Sequence, residues 1–324
     1  MESANVTNAG KTGLQKKKRP FYVEMIKQWD LQLLVIPGIL YVIVFFYGPM
    51  YGIITAFQDF KLGDKFGFSE WAGLRHFTAL FNDPNFGRLM RNNIVMGLMR
   101  IIIGFPIPII FALLLNELRT VWLKKTVQTI SYLPYFMSWT VIAVLMFDFF
   151  SLEQGAVNEL LVALGILDKP IHWFRNSDYF WGLFILTHIW QSMGFSAIIF
   201  IAGISAIDLE QYEAASIDGA GRFRQMWHIT LAGIKPTIVI LFILTVGSLM
   251  GTSFDQVMML TRMMNNSFLR ETADILQSYS FRVGIGQRRF SFGAAVGFYT
   301  TMINFTLLVL ANWIARRTDE TSLF

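Results

Sequence analysis

The sequence predicts an all-α membrane protein that crosses the bilayer six times. Hydrophobic residues make up 54% of the 324 residues and charged residues only 15%, which is too apolar for a soluble domain of this length. Aromatic residues, including 31 Phe, make up 15%, as is typical of a chain with many lipid-facing and interfacial positions. Long apolar runs alternate with polar segments rich in turn-forming residues, which predicts membrane spans joined by loops.

The N-terminal segment precedes the first apolar run. Residues 1–21 are polar and basic and are predicted to be a cytoplasmic tail. The basic run in this tail lies next to the membrane, so membrane anchoring explains it better than nucleic-acid binding does. No cleavable signal sequence is predicted, because the first apolar run is too long for a signal core. In residues 22–32, Tyr22, Ile26 and Trp29 recur at helical spacing, which predicts an interfacial helix.

The membrane domain is predicted to occupy residues 33–314, with a cytoplasmic C-terminal tail at 315–324. Its six spans are predicted at about 33–57, 92–115, 127–150, 179–207, 236–260 and 291–314. Three long loops are predicted to be external, at 58–91, 151–178 and 261–290. Six spans place both termini on one side, and the basic clusters near the termini indicate that this side is the cytoplasm.

A polar segment at 208–235 separates the fourth span from the fifth and has helix signals at both ends. Asp208 is predicted to cap a helix, and Gln211 three residues later is predicted to complete a capping box. Gly219 and Gly221 are predicted to reverse the chain at positive φ before a second helix begins. Two helices joined at a glycine corner make a rigid knob at the membrane surface, which suits docking into a groove of another protein.

The residue spacing in this segment resembles the EAA loop of ABC importer permeases. The family pattern is Glu-Ala-Ala, three residues, Gly, nine residues, Ile, one residue, Leu-Pro. The chain matches this pattern at Glu213, Ala214, Ala215, Gly219, Ile229 and Leu231. It departs from the pattern at Ala232, where the family has proline, and Pro236 follows four residues later. The resemblance implies a coupling helix that sits in a cleft of the ATPase subunit, with the coupling residues Glu213, Ala214, Ala215, Asp218 and Gly219.

Three further segments extend the resemblance over most of the chain. They lie at 49–59, 104–117 and 124–139 and resemble the polysaccharide-type branch of carbohydrate permeases, including the permease subunits of alginate-type importers. The resemblance implies the fold of a type I ABC importer permease in the bacterial inner membrane. It also implies that the chain moves oligo- or polysaccharide, including acidic polymers such as alginate, by alternating access.

The same resemblance implies a set of partners. These are a second homologous permease subunit, two ATPase subunits and an extracytoplasmic substrate-binding protein that delivers the carbohydrate. ATP and Mg²⁺ are expected on the ATPase, because this chain has no Gly-x-x-x-x-Gly-Lys-Ser/Thr phosphate loop and needs no cofactor of its own.

Catalytic and metal chemistry find little support in the sequence. There is no cysteine, and the four histidines have no zinc-ligand spacing, so neither a metal site nor an enzymatic activity is predicted. A membrane enzyme or scaffold of polysaccharide synthesis or export is the main alternative function, and a secondary transporter is a weaker one. The docking knob favours the importer, because the other classes do not need it.

Arg100 lies inside the second span and is the first candidate for the substrate path. A guanidinium within the bilayer needs an anion. The sequence offers Asp148 near the end of the third span, Asp255 in the fifth span, or a carboxylate on the substrate. Either aspartate would make a structural ion pair, whereas a substrate carboxylate would make Arg100 a substrate contact.

Polar residues in three later spans complete the predicted path. Trp190 offers a flat face and Gln191 an amide for a sugar, although an inter-helix hydrogen bond would also account for Gln191. Asp255 and Gln256 form a similar polar group near the external end of the fifth span. Asn304 in the sixth span either faces the centre or bonds a neighbouring helix.

Overall fold

The computed structural model describes residues 29–65, 67–251 and 254–317. The predicted tail at 1–21, most of the predicted interfacial helix at 22–32 and most of the predicted tail at 315–324 lie outside these residues. Within the described residues the chain is helical and has no β-strand, apart from an isolated antiparallel bridge between Gln58 and Trp71. The all-α prediction is therefore confirmed.

The first of two compact units ends at Gly52, and its described residues form an apolar helical stretch. It begins as α1, Trp29–Val42, and continues through a π-turn at Ile43–Tyr47 and a helical turn at Gly48–Met50. The π-turn arises because Pro49 has no N–H to donate to the carbonyl four residues before it. By length and composition, the helical stretch that begins here can cross a membrane.

The second compact unit begins at Ile53 and contains all the other described helices. Its named helices are α2 (Arg75–Phe81), α3 (Phe86–Met99), α4 (Pro106–Glu117), α5 (Val121–Tyr132), α6 (Trp139–Phe149), α7 (Ala156–Ala163), α8 (Phe180–Ser205), α9 (Leu209–Ile217), α10 (Arg222–Gln225), α11 (Lys235–Gly247), α12 (Phe254–Leu260), α13 (Leu276–Ser280) and α14 (Phe290–Arg317). Further helical segments, of 3-10, π or short α type, lie at Tyr51–Phe57 (which begins in the first unit), Arg100–Gly104, Leu133–Phe136, Trp173–Arg175, Ser177–Tyr179, Met226–Thr230, Leu231–Gly233, Ser267–Leu269, Arg270–Ala273 and Phe281–Gly286.

Four helical stretches are long and apolar enough to cross a membrane. They are Trp29–Phe57, Phe86–Glu117, Ser177–Ser205 and Phe290–Arg317. Two bent pairs pass the same test together, and they are Val121–Phe136 with Trp139–Phe149 and Arg222–Gly233 with Lys235–Gly247. Counting each bent pair as one span gives six spans within the described residues, the number that the sequence predicts.

The stretch predicted as the third span is broken at Pro134. α5 ends at Tyr132, and a 3-10 turn follows. α6 is then bent by 105° relative to the helical stretch Val121–Phe136. Proline cannot donate to the preceding turn, which explains why α5 stops here. The hydroxyl of Ser138 then caps α6 by accepting a hydrogen bond from the Val141 N–H at 3.4 Å.

The stretch predicted as the fifth span is also interrupted. α11 ends at Gly247, and α12 begins again at Phe254. An added Cβ at Gly247 would lie 2.4 Å from Cδ1 and 2.9 Å from Cβ of Leu308 on α14, so a larger residue here would force the Leu308 side chain to shift. In the break, Asn93 Nδ2 donates a hydrogen bond to the Met250 carbonyl at 3.1 Å. The Met250 N–H donates to Asn304 Oδ1 at 2.9 Å.

α8 lies at the centre of the packing. Its first half contributes buried side chains, including Phe180 and Phe184, to a core shared with α6 and α12. Its second half contributes Phe200 and other residues to a core shared with α4 and α11. At Gly194, between the two cores, an added Cβ would lie 2.1 Å from the backbone oxygen of Ser131 on α5. The middle of α8 is therefore enclosed by neighbouring helices, and the candidate site lies there.

Candidate functional site

A cavity of about 720 Å³ lies beside the middle of α8, between that helix, the π-turn before α4, the break before α6 and α11. This volume falls in the range of small-molecule binding sites. The residues that α8 contributes recur at helical spacing along one face, and they are His188, Gln191, Ser192, Phe195, Ser196, Ile199 and Phe200. Arg100, Tyr135, Trp139 and Thr245 line the other walls.

Arg100 enters the cavity from the π-turn Arg100–Gly104. The turn widens because Pro106 has no N–H to donate to the Ile102 carbonyl. In the widened turn the Phe105 N–H donates to the carbonyl five residues before it, that of Arg100, at 2.8 Å. The Nε of Arg100 is buried and has no hydrogen-bond partner in the described part of the chain. Among the same residues, no ion pair joins Arg100 to Asp148 or Asp255.

The two aspartates that the sequence offers as partners are both exposed. Of the alternatives for Arg100, the structural ion pair therefore has no support among the described residues. A cation without a partner beside a cavity is compensated when an anionic group occupies that cavity.

Aromatic rings form the wall of the cavity near Gln191. The rings of Tyr135 and Phe195 lie parallel, with centroids 3.8 Å apart. The side chain of Gln191 donates to the Tyr135 carbonyl at 3.5 Å, so the amide lies beside this stack. The ring of His188 lies against Gly104, where an added Cβ would be 3.3 Å from His188 Cδ2. Aromatic rings offer a flat apolar face to a sugar, and a nearby amide and imidazole offer hydrogen-bond donors and acceptors for its hydroxyl groups.

The other residues of the predicted substrate path lie elsewhere. Trp190 is off the α8 face that lines the cavity. Gln256 is buried and donates to the Phe184 carbonyl at 2.7 Å and to Thr187 Oγ1 at 2.8 Å. Asn304 bonds the backbone at Met250, and Asp255 is exposed. The structure thus brings Arg100 and Gln191 together and leaves the other four residues outside the cavity.

Tyr135, Trp139, His188 and Phe195 line the cavity, but the predicted substrate path does not include them. Two of them had a signal in the sequence, because His188 and Phe195 share a helix face with Gln191. Tyr135 and Trp139 had none, because they flank a helix break whose angle is fixed by packing. Among the described residues no group of three or more His, Cys, Asp or Glu side chains could hold a metal ion.

The polar segment between α8 and α11 begins with α9, which Asp208 caps as predicted. The Asp208 carboxylate accepts from the Glu210 N–H at 3.1 Å. The expected capping box is not formed, because no side-chain bond from Gln211 returns to Asp208 within the described residues. α9 ends in a Schellman motif, in which Gly219 has φ +75° and the Ala220 N–H donates to the Ala215 carbonyl at 2.8 Å.

Gly221 does not share this conformation. Gly221 has φ −67° and ψ 163°, which is an extended conformation, and it precedes α10. The prediction of a positive φ there is therefore wrong. One left-handed residue is enough to turn the chain, and Gly219 supplies it. Gly221 is therefore a position that other residues can occupy, since an added Cβ meets nothing within 4 Å.

Side-chain bonds fix the two helices of this segment against each other. Tyr212 and Thr230 share a hydrogen bond of 2.9 Å between their hydroxyls. Gln225 Nε2 donates to Ser216 Oγ at 2.9 Å and to the Ala220 carbonyl at 3.0 Å. The outer surface remains apolar and open, with Leu209, Ile217 and Phe223 each more than 70% exposed. The result is a braced knob with an exposed apolar surface, together with the exposed carboxylates of Glu213 and Asp218.

Comparison with protein families and curated relatives gives consistent matches. A family model described as "Binding-protein-dependent transport system inner membrane component" matches residues 104–320. The chain is 41% identical over 310 residues to the polygalacturonan/rhamnogalacturonan transport system permease protein YteP of Bacillus subtilis (strain 168), covering 96% of this chain and 95% of the relative. It is 30% identical over 269 residues to the arabinooligosaccharides transport system permease protein AraP of the same organism, with 82% of each chain covered.

Solved structures give a match over nearly the whole fold. The chain is similar to a chain in the crystal structure of a bacterial alginate ABC transporter in complex with alginate pentasaccharide-bound periplasmic protein, with a TM-score of 0.83 and 30% sequence identity. The match covers 94% of this chain and 100% of that chain. A second structure, of a bacterial ABC transporter involved in the import of the acidic polysaccharide alginate, matches with a TM-score of 0.81 and 31% identity.

Proposed function

The chain belongs to the family of binding-protein-dependent transport system inner membrane components, and we propose that it forms one half of the transmembrane path of an ATP-driven importer of acidic oligosaccharides. It is a permease of the sugar ABC-importer type, a transport subunit rather than an enzyme. The alternative of a membrane enzyme or scaffold of polysaccharide synthesis or export gains no support from these relatives.

The single observation that carries the acidic substrate is Arg100 in the cavity. Its Nε is buried without a partner among the described residues, beside a stacked aromatic wall and the amide of Gln191. A uronate carries both a carboxylate for a guanidinium fork and a sugar face for aromatic rings. The structural neighbour for import of the acidic polysaccharide alginate supports the same substrate class.

Within the cavity we assign the two predicted path residues distinct roles. Arg100 pairs with a uronate carboxylate, and Gln191 bonds sugar hydroxyls. The rings of Tyr135 and Phe195 supply the apolar face. Since Gln256 and Asn304 are engaged in inter-helix bonds, their contribution is to hold the walls of the cavity.

We expect the ATPase subunits to move the knob formed by α9 and α10 when they bind and hydrolyse ATP. ATP and Mg²⁺ would bind to two separate ATPase subunits, and Glu213, Ala214, Ala215, Asp218 and Gly219 would face the cleft of one of them. A rigid, braced knob transmits a displacement to the helices on either side, α8 and α11, and both of these line the cavity. Closure and opening of the ATPases would thereby alternate the access to the cavity.

The remaining partners follow from the same mechanism. A second homologous permease would complete the path, and an extracytoplasmic binding protein would deliver the substrate to the external loops. A binding-protein partner is supported by the structural neighbour, which is a complex with a periplasmic protein. This arrangement places both termini and the knob in the cytoplasm.

Uptake by the reconstituted complex tests the proposal. Proteoliposomes that contain the importer, ATP and the binding protein should accumulate labelled trigalacturonate faster than a neutral galactose trisaccharide. Uptake should stop when ATP is omitted. Equal uptake of the two sugars would contradict the acidic substrate class, and the absence of any ATP-dependent oligosaccharide uptake would contradict the importer function.

A further inference from the structure

A second cavity, of about 570 Å³, lies apart from the transmembrane cavity and shares no lining residue with it. It is formed where the end of α6 meets the loops predicted to be external at 151–178 and 261–290. Its polar and aromatic lining includes Glu153, Trp173, Arg175, Arg262, Asn265 and Phe268. The volume is again that of a ligand site rather than of a packing defect.

The two arginines of this cavity are held by aromatic rings instead of carboxylates. The guanidinium carbon of Arg175 lies 5.2 Å from the centre of the Phe268 ring, and that of Arg262 lies 4.6 Å from the centre of the Phe147 ring. Neither arginine takes part in an ion pair within the described residues. A ring covers the face of a guanidinium and leaves its N–H edge open, and that edge is the part that binds a carboxylate in two-point geometry.

The backbone that carries Arg262 has an unusual conformation. Arg262, Met263 and Met264 have φ values of 50°, 57° and 63°, so three successive residues with side chains are left-handed. Such residues are disfavoured and persist where the surrounding structure fixes them, often at ligand sites. Here the hydroxyl of buried Thr261 accepts from the Met264 N–H at 3.2 Å, and the Met263 N–H donates to the Met258 carbonyl at 2.6 Å. The strained turn holds Arg262 at the cavity.

The aromatic part of the lining is also fixed in place. The indole N–H of Trp173 donates to Oδ1 of buried Asn158 at 2.9 Å, and this asparagine donates in turn to the Ser151 and Ile171 carbonyls. The indole ring packs edge-to-face against Phe150, with centroids 5.5 Å apart. Phe268, whose ring lies against the Arg175 guanidinium, is 55% exposed. Rings that are fixed in position suit the stacking of sugars, because binding then costs little side-chain entropy.

We propose that this cavity is a second saccharide site, on the extracytoplasmic side, which binds uronate units of an acidic oligosaccharide. The proposal rests on the proposed function for the substrate class and for the orientation of the loops. The lining carries two guanidinium groups and one carboxylate, Glu153, so the site has a net positive charge that an acidic sugar offsets and a neutral sugar does not. The site would hold an acidic chain outside the membrane before it reaches Arg100.

Binding of trigalacturonate to the assembled importer in nanodiscs, without binding protein, tests this site. Isothermal titration is compared between the wild type and the variants Arg175→Gln and Arg262→Gln, with a neutral galactose trisaccharide as the sugar control. Loss of one guanidinium–carboxylate pair should weaken trigalacturonate binding by roughly tenfold or more. Arg175→Lys and Arg262→Lys should weaken it less, because lysine keeps the charge and loses the fork.

Arg288→Gln is the matched control. Arg288 is an exposed arginine of the same external loop region, and it does not line this cavity. This variant should bind trigalacturonate as the wild type does. Unchanged binding in both Arg175→Gln and Arg262→Gln, or equal binding of the neutral sugar by the wild type, would overturn the proposal. Such a result would leave ATP-dependent uptake intact, so it is distinguishable from a failure of the proposed function.

Discussion

The ring of Tyr135 stacks on the ring of Phe195, with an angle of 4° between the two ring planes, across the contact between the broken α5–α6 segment and α8. The stack joins the helix break to the α8 face that lines the transmembrane cavity. Gln191 lies beside the stack, because its amide donates to the Tyr135 carbonyl, and under the proposed function the two rings offer an apolar wall to a sugar.

Replacing one ring of this stack should impair transport more than assembly. An aromatic pair contributes about 0.5–1.5 kcal/mol beyond the area that it buries. Phe195→Leu keeps an apolar side chain and loses the stack, so we expect the KM for oligosaccharide uptake to rise by up to about tenfold. Uptake kinetics in proteoliposomes measure this effect.

Phe136→Leu is the control for the stack. Phe136 contacts the rings of Tyr135 and Phe195 edge-on, is 74% exposed and does not line the cavity. Its replacement should leave the KM near the wild-type value. A KM that is unchanged in Phe195→Leu, or equally raised in both variants, would show that the stack does not act on the substrate.

Much of the knob could be predicted from sequence, and the reason is that its signals are local. Asp208 caps α9 and Gly219 turns the chain because each conformation depends on a few neighbouring residues. The two errors are local ones, because Gln211 does not complete the capping box and, of the nearby glycines Gly219 and Gly221, only Gly219 is left-handed. Sequence alone does not decide between such neighbours.

The cavity was less accessible to prediction. α8 is apolar over most of its surface, and its polar stripe is short, formed by His188, Gln191, Ser192 and Ser196 on the face that meets the cavity. In the sequence, Gln191 and Gln256 are both polar residues inside a predicted span. Only the structure shows that the Gln256 side chain donates a hydrogen bond to the Phe184 carbonyl. Tyr135 and Phe195 are far apart in sequence, and they meet because α5 stops at Pro134.

Removing the guanidinium of Arg100 should change substrate selectivity. Arg100→Gln keeps a polar side chain, which is shorter, and loses the charge. If Arg100 meets a substrate carboxylate, uptake of trigalacturonate should fall by roughly tenfold or more while uptake of a neutral trisaccharide is retained. A parallel fall for both sugars, together with a lower melting temperature of the complex, would instead assign Arg100 a structural role.

The left-handed residue of the knob should be essential for coupling. A residue with a side chain at φ +75° costs about 1–2 kcal/mol, so Gly219→Ala should distort the turn that ends α9, the helix that we propose docks on the ATPase. We expect the ATPase activity stimulated by the binding protein to fall several-fold, with the permease still present in the membrane. Gly219→Pro and Glu213→Lys should abolish uptake.

Gly221→Ala provides the matched control, because Gly221 lies two residues away at φ −67° with open space around it. Its stimulated ATPase activity should equal that of the wild type. Equal activity in Gly219→Ala would show that the left-handed turn is not needed for coupling.

The crossing of α5 and α8 should limit the stability of the fold around the cavity. At Gly194 an added Cβ would lie 2.1 Å from the backbone oxygen and 2.4 Å from the carbonyl carbon of Ser131. Backbone atoms inside a helix cannot yield as the end of a flexible side chain can, so the two helices must separate. Overpacking of this kind costs about 1–3 kcal/mol or more.

Gly194→Ala should therefore lower the melting temperature of the purified complex, and it should also lower uptake, because Gly194 lies between the cavity residues Gln191 and Phe195 on α8. Gly182→Ala is the matched control on the same helix, where an added Cβ meets nothing within 4 Å. There alanine should be neutral or slightly stabilising, since it favours helix more than glycine does. Equal melting temperatures for the two variants would mean that α5 and α8 do not cross at the distance described.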